Sequence, residues 1–316
     1  MSASFLLKRL FYLVLTAFLV TLIIFGVTQI LPANAATMIL GEYATDEALA
    51  AVNARLGLDQ SALVQYWSWL SGVLHGDFGT SMRTGQPVGP TILAALGRSS
   101  ILAVLSLVLV SLLAIPLGVL AAARRGKAAD LGISLVSYIG VSLPEFVLAT
   151  LLLVWLAGPS VGLFPASGYT SFAENPLDAL HHIALPVITL TIVLTAHISR
   201  MVRSEMVDTL GSDFVRAARL RGIPRRQVLF RHALRNSLLP AITVIALDIG
   251  YLIGGVIVVE EVFSFPGIGR QLILAIQNRD LPMLQAGALI MALTYAFANL
   301  FADLVYGMLD KRIQYQ

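Results

Sequence analysis

The sequence of 316 residues contains no cysteine. Without thiols the chain forms no disulfide, builds no thiolate metal site and uses no cysteine nucleophile. It also lacks the G-x-x-x-x-G-K-[ST] pattern that holds nucleotide phosphates, so we do not expect it to bind ATP itself. His181 and His182 are adjacent, and consecutive helical residues point in different directions. We therefore predict no catalytic residue, no metal site and no cofactor.

Charged residues are scarce as well. They make up 12% of the chain, whereas soluble domains contain about 25%. A helix needs about 20 apolar residues to cross a bilayer, and six blocks have that length with at most one charge. We predict an all-α integral membrane protein with six transmembrane helices, at about 8–31, 98–123, 130–156, 180–203, 237–261 and 282–309.

The first apolar block has an alternative interpretation. A basic pair precedes it and Ala33-Asn34-Ala35 follows it, which is the pattern of a signal peptide with a small-residue cleavage site. However, the block is longer than the roughly 7–15 apolar residues of a signal peptide. We favour a first membrane helix.

The basic residues predict the orientation of these helices. If the N-terminus lies inside, the inner loops and ends carry 16 of the 21 Lys and Arg residues and the outer loops carry 5. Cytoplasmic loops hold the excess of Lys and Arg, so both termini are predicted to be cytoplasmic. The segment 42–97 is then an outer segment.

Two short amphipathic helices are predicted in this outer segment. Thr45 is suited to cap the first helix, with Asp46 and Glu47 in its first turn. The second run covers 62–74 and carries Trp67 and Trp69, which suit a membrane interface.

The cytoplasmic stretch 200–240 contains nine arginines and shows a helix–break–helix pattern. Ser212-Asp213 is an N-cap signal, Gly222 a stop signal, and Pro224 fits the first turn of a second helix. The side chains of Ala217 and Ala218 are small, so a partner protein could closely approach the backbone of the first helix at this point. The alternative is a basic amphipathic helix resting on anionic lipid headgroups. Nucleic-acid binding is disfavoured beside six membrane helices.

This stretch resembles a known motif. Arg216-Ala217-Ala218-x-x-x-Gly222 followed by Leu239-Pro240 is similar to the EAA loop of ABC importer permeases, although Arg216 stands where the general motif has Glu. The runs 216–222 and 231–236 are similar to R-x-A-R-x-K-G and R-H-A-L-R-N of the oligopeptide/dipeptide branch. Further similarities to this branch follow in order along the chain, at 56–59, 76–81, 142–146 and 263–270.

The resemblance implies a single permease domain, 1–316, with type I ABC importer architecture in a bacterial inner membrane. It implies a heterodimer with a second homologous permease, one or two cytoplasmic ABC ATPase subunits and a periplasmic solute-binding protein. The cytoplasmic coupling loop, 204–236, is expected to dock into the ATPase through Asp213, Phe214, Arg216, Ala217, Ala218, Arg219, Leu220 and Gly222.

Acidic residues inside the predicted spans are candidates for the translocation pathway, because an intramembrane carboxylate is costly and by default functional. Asp248 lies near the middle of the fifth span, with Tyr251 on the same helical face, and Glu145 follows Pro144 in the third. A structural hydrogen bond is the alternative for Asp248, and a position at the outer interface is the alternative for Glu145.

The resemblance implies di- or oligopeptides as substrates. Relatives in this branch also handle nickel complexes, glutathione, opines or oligosaccharides, so these substrates stay open. A self-sufficient channel or secondary transporter is the alternative of a different class. Such transporters often show inverted repeats and broken helices, and the sequence shows neither clearly.

Overall fold

The computed structural model describes residues 3–30, 45–56 and 59–309. Within these ranges the chain is helical, with no β-strand and one isolated bridge between Thr80 and Pro87. Two π-helical segments, Leu153–Ala157 and Val228–Ala233, extend α6 and join α9 to α10. The helices are α1 Ala3–Ile30, α2 Asp46–Leu56, α3 Ala62–Leu74, α4 Val88–Ala123, α5 Ala128–Ser142, α6 Glu145–Leu152, α7 Pro176–Gly211, α8 Asp213–Leu220, α9 Arg225–Gln227, α10 Leu234–Val262, α11 Ile268–Gln277 and α12 Leu281–Leu309.

The membrane-spanning class is confirmed by these helices. Four described segments are long and apolar enough to cross a bilayer: Leu7–Gln29, Val88–Ala123, Pro176–Gly211 and Leu281–Val305. The bent pair of α5 and α6 would together provide a fifth crossing. The remaining predicted span falls on α10, where several side chains lie outside the described residues. Six crossings therefore stay a prediction, whereas the two short helices expected in the outer segment are present as α2 and α3.

Two predicted spans are shorter by ten residues or more than the helices that contain them, α4 and α7. α4 begins ten residues before the predicted start at 98, so its first turns lie within the predicted outer segment. α7 begins at Pro176, where the Asn175 side chain accepts a hydrogen bond from the backbone N–H of Asp178 at 3.2 Å. Apolar run length marks only the portion of a helix that suits lipid, whereas capping residues determine where the helix begins.

The predicted third span, 130–156, is not one continuous helix. α5 ends at Ser142, α6 begins at Glu145, and the two helical segments are bent by 103°. Leu143 is extended at φ −86°, ψ 125°, because the ring of a following proline disfavours helical dihedrals. Pro144 has no N–H to donate. A proline inside a helical stretch can cause a kink, and here the structure shows a complete break between α5 and α6.

The described chain divides into two compact units. One contains Ser100–Phe265 and the part of α12 from Ala298 onward, and its core forms around α7. Buried side chains of α7, among them Leu190, Leu194 and Ile198, pack with those of α4 and α10. α4 approaches α7 closely at Gly118, where a Cβ would lie 2.6 Å from the Ser199 carbonyl oxygen. Small residues permit such close packing of membrane helices.

The other unit contains Leu7–Ser99 and Pro266–Phe297. The turn at Ser81 and Met82 in the predicted outer segment is held by Asp280. The Asp280 carboxylate accepts hydrogen bonds from the Ser81 hydroxyl and from the backbone N–H of Met82. α11 begins where the Ser99 hydroxyl accepts a hydrogen bond from the N–H of Ile268 at 2.9 Å. Two of the sequence motifs described above therefore have a structural role. The motif at 76–81 contributes to a turn, and the motif at 263–270 contains the start of α11.

Candidate functional site

A cavity of about 470 Å3 opens at the break between α5 and α6. The break supplies one wall, and residues from the middle of α7 and α10 supply the rest. Among the described residues that line it, two are acidic and none is Lys or Arg. They are Val141, Ser142, Leu143, Pro144, Glu145, Val193, Leu194, His197, Asp248 and Tyr251. The structure therefore brings together the three pathway candidates, which lie on two helices far apart in sequence.

Glu145 occupies the first turn of α6, where the free N–H groups and the helix dipole favour a negative charge. Tyr251 lines the same cavity from α10. The carboxylate also lies against Gly255, where an added Cβ would be 2.8 Å from Oε1. The missing side chain at Gly255 therefore leaves the space that the carboxylate occupies.

Asp248 has a partner that the sequence reasoning missed. His197 Nδ1 lies 3.2 Å from Asp248 Oδ2, with 44% of the histidine side chain and 12% of the aspartate side chain exposed. A signal was available, because His197 lies inside an uncharged apolar block and polar residues in such blocks are functional candidates by default. Its partner could not be predicted, because the register of α7 against α10 depends on packing.

The arrangement suits a ligand that carries a positive charge. Two carboxylates line the same cavity and one histidine accompanies them, so the site offers acceptors on several sides. Carboxylates in a low-dielectric cavity attract cations more strongly than they do in water. No covalent chemistry follows from these groups.

The second candidate site is α8 and the turn that ends it. Arg221 N–H donates to the carbonyl of Ala217, Gly222 N–H to that of Arg219, and Ile223 N–H to that of Ala218. This is the Schellman arrangement of hydrogen bonds at a helix end. It requires the left-handed conformation that Gly222 adopts at φ +75°, which glycine reaches without steric cost.

α8 buries one face and exposes the other. Val215 and Ala218 pack against Val228 of the following π segment, and Ala218 is 7% exposed. Ala217 is exposed, as are Phe214 at 46% and Leu220 at 84%. The sequence predicted that both alanines form a surface which a partner could approach. Ala217 is indeed open to a partner. Ala218 is covered by the chain itself, because it lies on the same helical face as Val215.

Two arginine contacts attach this region to neighbouring helices. The Arg225 guanidinium donates to the carbonyl of Ala123, the last residue of α4, at 2.7 Å. Arg203 of α7 forms two hydrogen bonds with Asp130 near the start of α5, at 2.5 and 2.8 Å. Arg216 and Arg219 are exposed on α8. The first contact therefore links the segment after α8 to the end of α4, and the second links α7 to the start of α5.

The fold and the two sites define a helical membrane protein with a cavity lined in part by two acidic residues and with a basic segment between membrane-spanning helices. Residues 114–315 match the family of binding-protein-dependent transport system inner membrane components, and residues 2–100 match the N-terminal part of such components. The chain belongs to this family. It is a permease subunit of an ABC transporter, an inner-membrane protein that works with other transporter subunits.

Individual relatives align over nearly the whole chain. A probable peptide ABC transporter permease of Sinorhizobium fredii is 36% identical over 98% of this chain and 99% of its own. An oligopeptide transport system permease of Bacillus subtilis is 36% identical over 94% of both chains. A glutathione transport system permease of Salmonella paratyphi A is 35% identical over 99% of both.

Proposed function

We propose that the chain forms half of the translocation pathway of an ATP-driven importer for di- and oligopeptides. The relatives from Sinorhizobium and Bacillus carry peptide or oligopeptide transport in their names. The observation that carries the proposal is the cavity at the break of α5 and α6, because Glu145 and Asp248 line it without a Lys or Arg among its described lining residues. A peptide brings a positively charged amino group that such a cavity attracts.

Membership of the family supports an assembly of several transporter subunits. A second homologous permease completes the pathway, one or two cytoplasmic ATPase subunits supply the energy, and a periplasmic binding protein delivers the peptide. The permease domain is the whole chain, 1–316. The excess of Lys and Arg in the predicted inner loops supports cytoplasmic termini, with 42–97 on the periplasmic side and 204–236 on the cytoplasmic side.

The ATPase docks on the segment Asp213–Gly222. Phe214 and Leu220 are exposed apolar side chains, and the exposed Ala217 lies between them in sequence. The exposed face of α8 therefore carries two large apolar side chains with a small one between them. Exposed apolar side chains of this kind are typical of protein interfaces. The Gly222 turn fixes the direction in which the chain leaves this face.

Reconstitution tests the proposal directly. The complete complex with its binding protein should take up a labelled dipeptide or tetrapeptide into proteoliposomes when ATP is supplied on the ATPase side. The chain alone should take up none, and uptake by the lone chain would instead make it a self-sufficient channel or secondary transporter.

A second substrate class has a specific observation in its favour, since the Salmonella relative carries glutathione transport in its name. Competition with unlabelled glutathione in the same assay distinguishes the two. Nickel complexes, opines and oligosaccharides are tested as competitors in parallel.

A further inference from the structure

A second cavity lies beside the coupling segment, away from the acidic one. It has a volume of about 410 Å3 and forms between the end of α4, the end of α7 and the segment from α8 to the start of α10. We call it the basic groove. Its lining residues are Ala122, Ala123, Arg124, Arg125, Lys127, Val207, Leu210, Gly211, Arg219, Arg225, Val228 and Leu229.

The basic groove has an uncompensated positive charge. Five of its lining residues are Arg or Lys and none is acidic within the part of the chain that the structure describes. The neighbouring Asp130 is already occupied, because its carboxylate accepts hydrogen bonds from Arg203 and from the N–H of Gly126. Like charges held this close destabilise one another unless an anion joins them.

Most of the donors in the groove are available. The side chains of Arg124, Arg125 and Lys127 are exposed, and within the described ranges no hydrogen bond or ion pair of theirs is formed. Arg225 uses one donor on the Ala123 carbonyl, and Arg219 reaches the Leu210 carbonyl at 3.5 Å. A guanidinium carries five N–H donors, so both arginines retain donors for an anion.

The floor of the groove is apolar. Ala122 and Val228 are buried, and Val207, Leu210 and Leu229 are partly exposed to the cavity. A free inorganic anion would gain nothing from contact with these apolar side chains. An amphiphile fits both parts, because its charged group meets the basic rim and its hydrocarbon covers the apolar floor.

We propose that the basic groove binds the phosphate headgroup of an anionic phospholipid of the inner leaflet. The groove lies at the ends of α4 and α7, both membrane-spanning candidates, and the proposed orientation places those ends at the cytoplasmic surface. Basic pockets between membrane helices on this side are suited to acidic headgroups. The bound lipid would neutralise the groove and join the loop after α4 to the coupling segment.

Lipid retention by the purified full chain tests the proposal. The protein is extracted from vesicles containing equal amounts of phosphatidylglycerol and phosphatidylcholine, and bound lipids are counted by native mass spectrometry. The groove variant is Arg124→Gln/Arg125→Gln/Lys127→Gln. The matched control is Arg226→Gln/Arg231→Gln/Arg235→Gln, which removes the same charge from nearby positions outside the groove.

The wild type should retain phosphatidylglycerol in preference to phosphatidylcholine, and the groove variant should lose that preference by about fivefold or more. The control should keep it, and an excess of inorganic phosphate should not displace the lipid. Equal retention by the groove variant and the wild type, or equal loss by the control, would overturn the proposal.

Two further outcomes reassign the groove. Displacement of the lipid by inorganic phosphate would make it a free-anion site. The groove would be a protein interface if the groove variant keeps its lipid retention but, when purified as the complete transporter complex, loses the ATPase. Peptide uptake is not the readout here, so failure of this proposal and failure of the proposed transport function are distinguishable.

Discussion

His197 and Asp248 join the middle of α7 to the middle of α10, with 3.2 Å between Nδ1 and Oδ2. The contact holds one carboxylate at the wall of the acidic cavity while Glu145 approaches from α6. α6 and α10 are far apart in sequence, and each places one carboxylate at the same cavity. This arrangement is the basis of the proposed preference for cationic substrates.

Asp248→Asn should impair uptake without preventing assembly. The amide still offers an oxygen to His197 but has no charge for a peptide amine. We expect the KM for an unmodified peptide to rise about tenfold, the equivalent of one charge-assisted hydrogen bond, and the KM for an N-acetylated peptide to change little. Glu174→Gln, at an exposed acid in the loop before α7, is the control. An equal effect on both peptides would show that Asp248 does not sense substrate charge.

Gly255→Ala should displace the Glu145 carboxylate while the helix stays folded. The new methyl group would lie 2.8 Å from Oε1, so the flexible end of Glu145 must move. The neighbouring Gly254 has no atom within 4 Å of an added Cβ, which makes Gly254→Ala a matched control. We expect slower peptide uptake for the first variant only, with both variants as thermally stable as the wild type. Equal uptake by the two variants would contradict the importance of the Glu145 position.

Arg203→Gln should destabilise the chain, because it leaves the buried Asp130 without its partner. Asp130 is 4% exposed and Arg203 is 30% exposed. Removing one member of such a pair costs about 3 kcal/mol, so thermal unfolding in detergent should begin at a clearly lower temperature. Arg200→Gln, whose guanidinium carbon lies 5.7 Å from the centre of the Tyr138 ring, should cost about 1 kcal/mol or less. Asp130→Asn/Arg203→Gln should recover part of the loss, and no recovery would argue against a specific pair.

Gly222→Val should distort the turn after α8. Gly222 has a φ of +75°, and a side chain in this conformation costs about 1–2 kcal/mol. Limited proteolysis should therefore cut the coupling loop faster in this variant. Gly211→Val is the control, since Gly211 lies within α7 and an added Cβ there meets no atom within 4 Å. Equal cleavage of both variants would show that the turn does not depend on the left-handed residue.

Much of this organisation could be predicted from the sequence. The ends of α8 were predicted at Ser212 and Gly222, and the helix begins and ends there. Gly222 forms the turn that ends the helix, as local preferences predict, whereas the Ser212 hydroxyl donates to the Thr209 carbonyl and makes no capping hydrogen bond. Val215, an apolar residue among arginines, was a signal for the buried face of α8, and Ala218 lies one turn further on. Pro144 is a residue that can interrupt a helix, but the 103° bend depends on how α6 packs against α7 and α10. The same dependence on packing hid the pairing of His197 with Asp248.

We propose that α8 couples this permease to an ATPase, and Ala217→Trp tests this coupling most directly. The indole would project from the exposed face, so the chain should still fold. Ala128→Trp, at an exposed alanine at the start of α5, controls for the added bulk. The measurement is ATP hydrolysis by the purified complex in the presence of binding protein and peptide.

We expect Ala217→Trp to abolish the stimulated hydrolysis and to reduce co-purification of the ATPase, whereas Ala128→Trp should behave as the wild type. Wild-type hydrolysis, peptide uptake and co-purification in Ala217→Trp would contradict the coupling role, and α8 would then be a helix that rests on lipid headgroups.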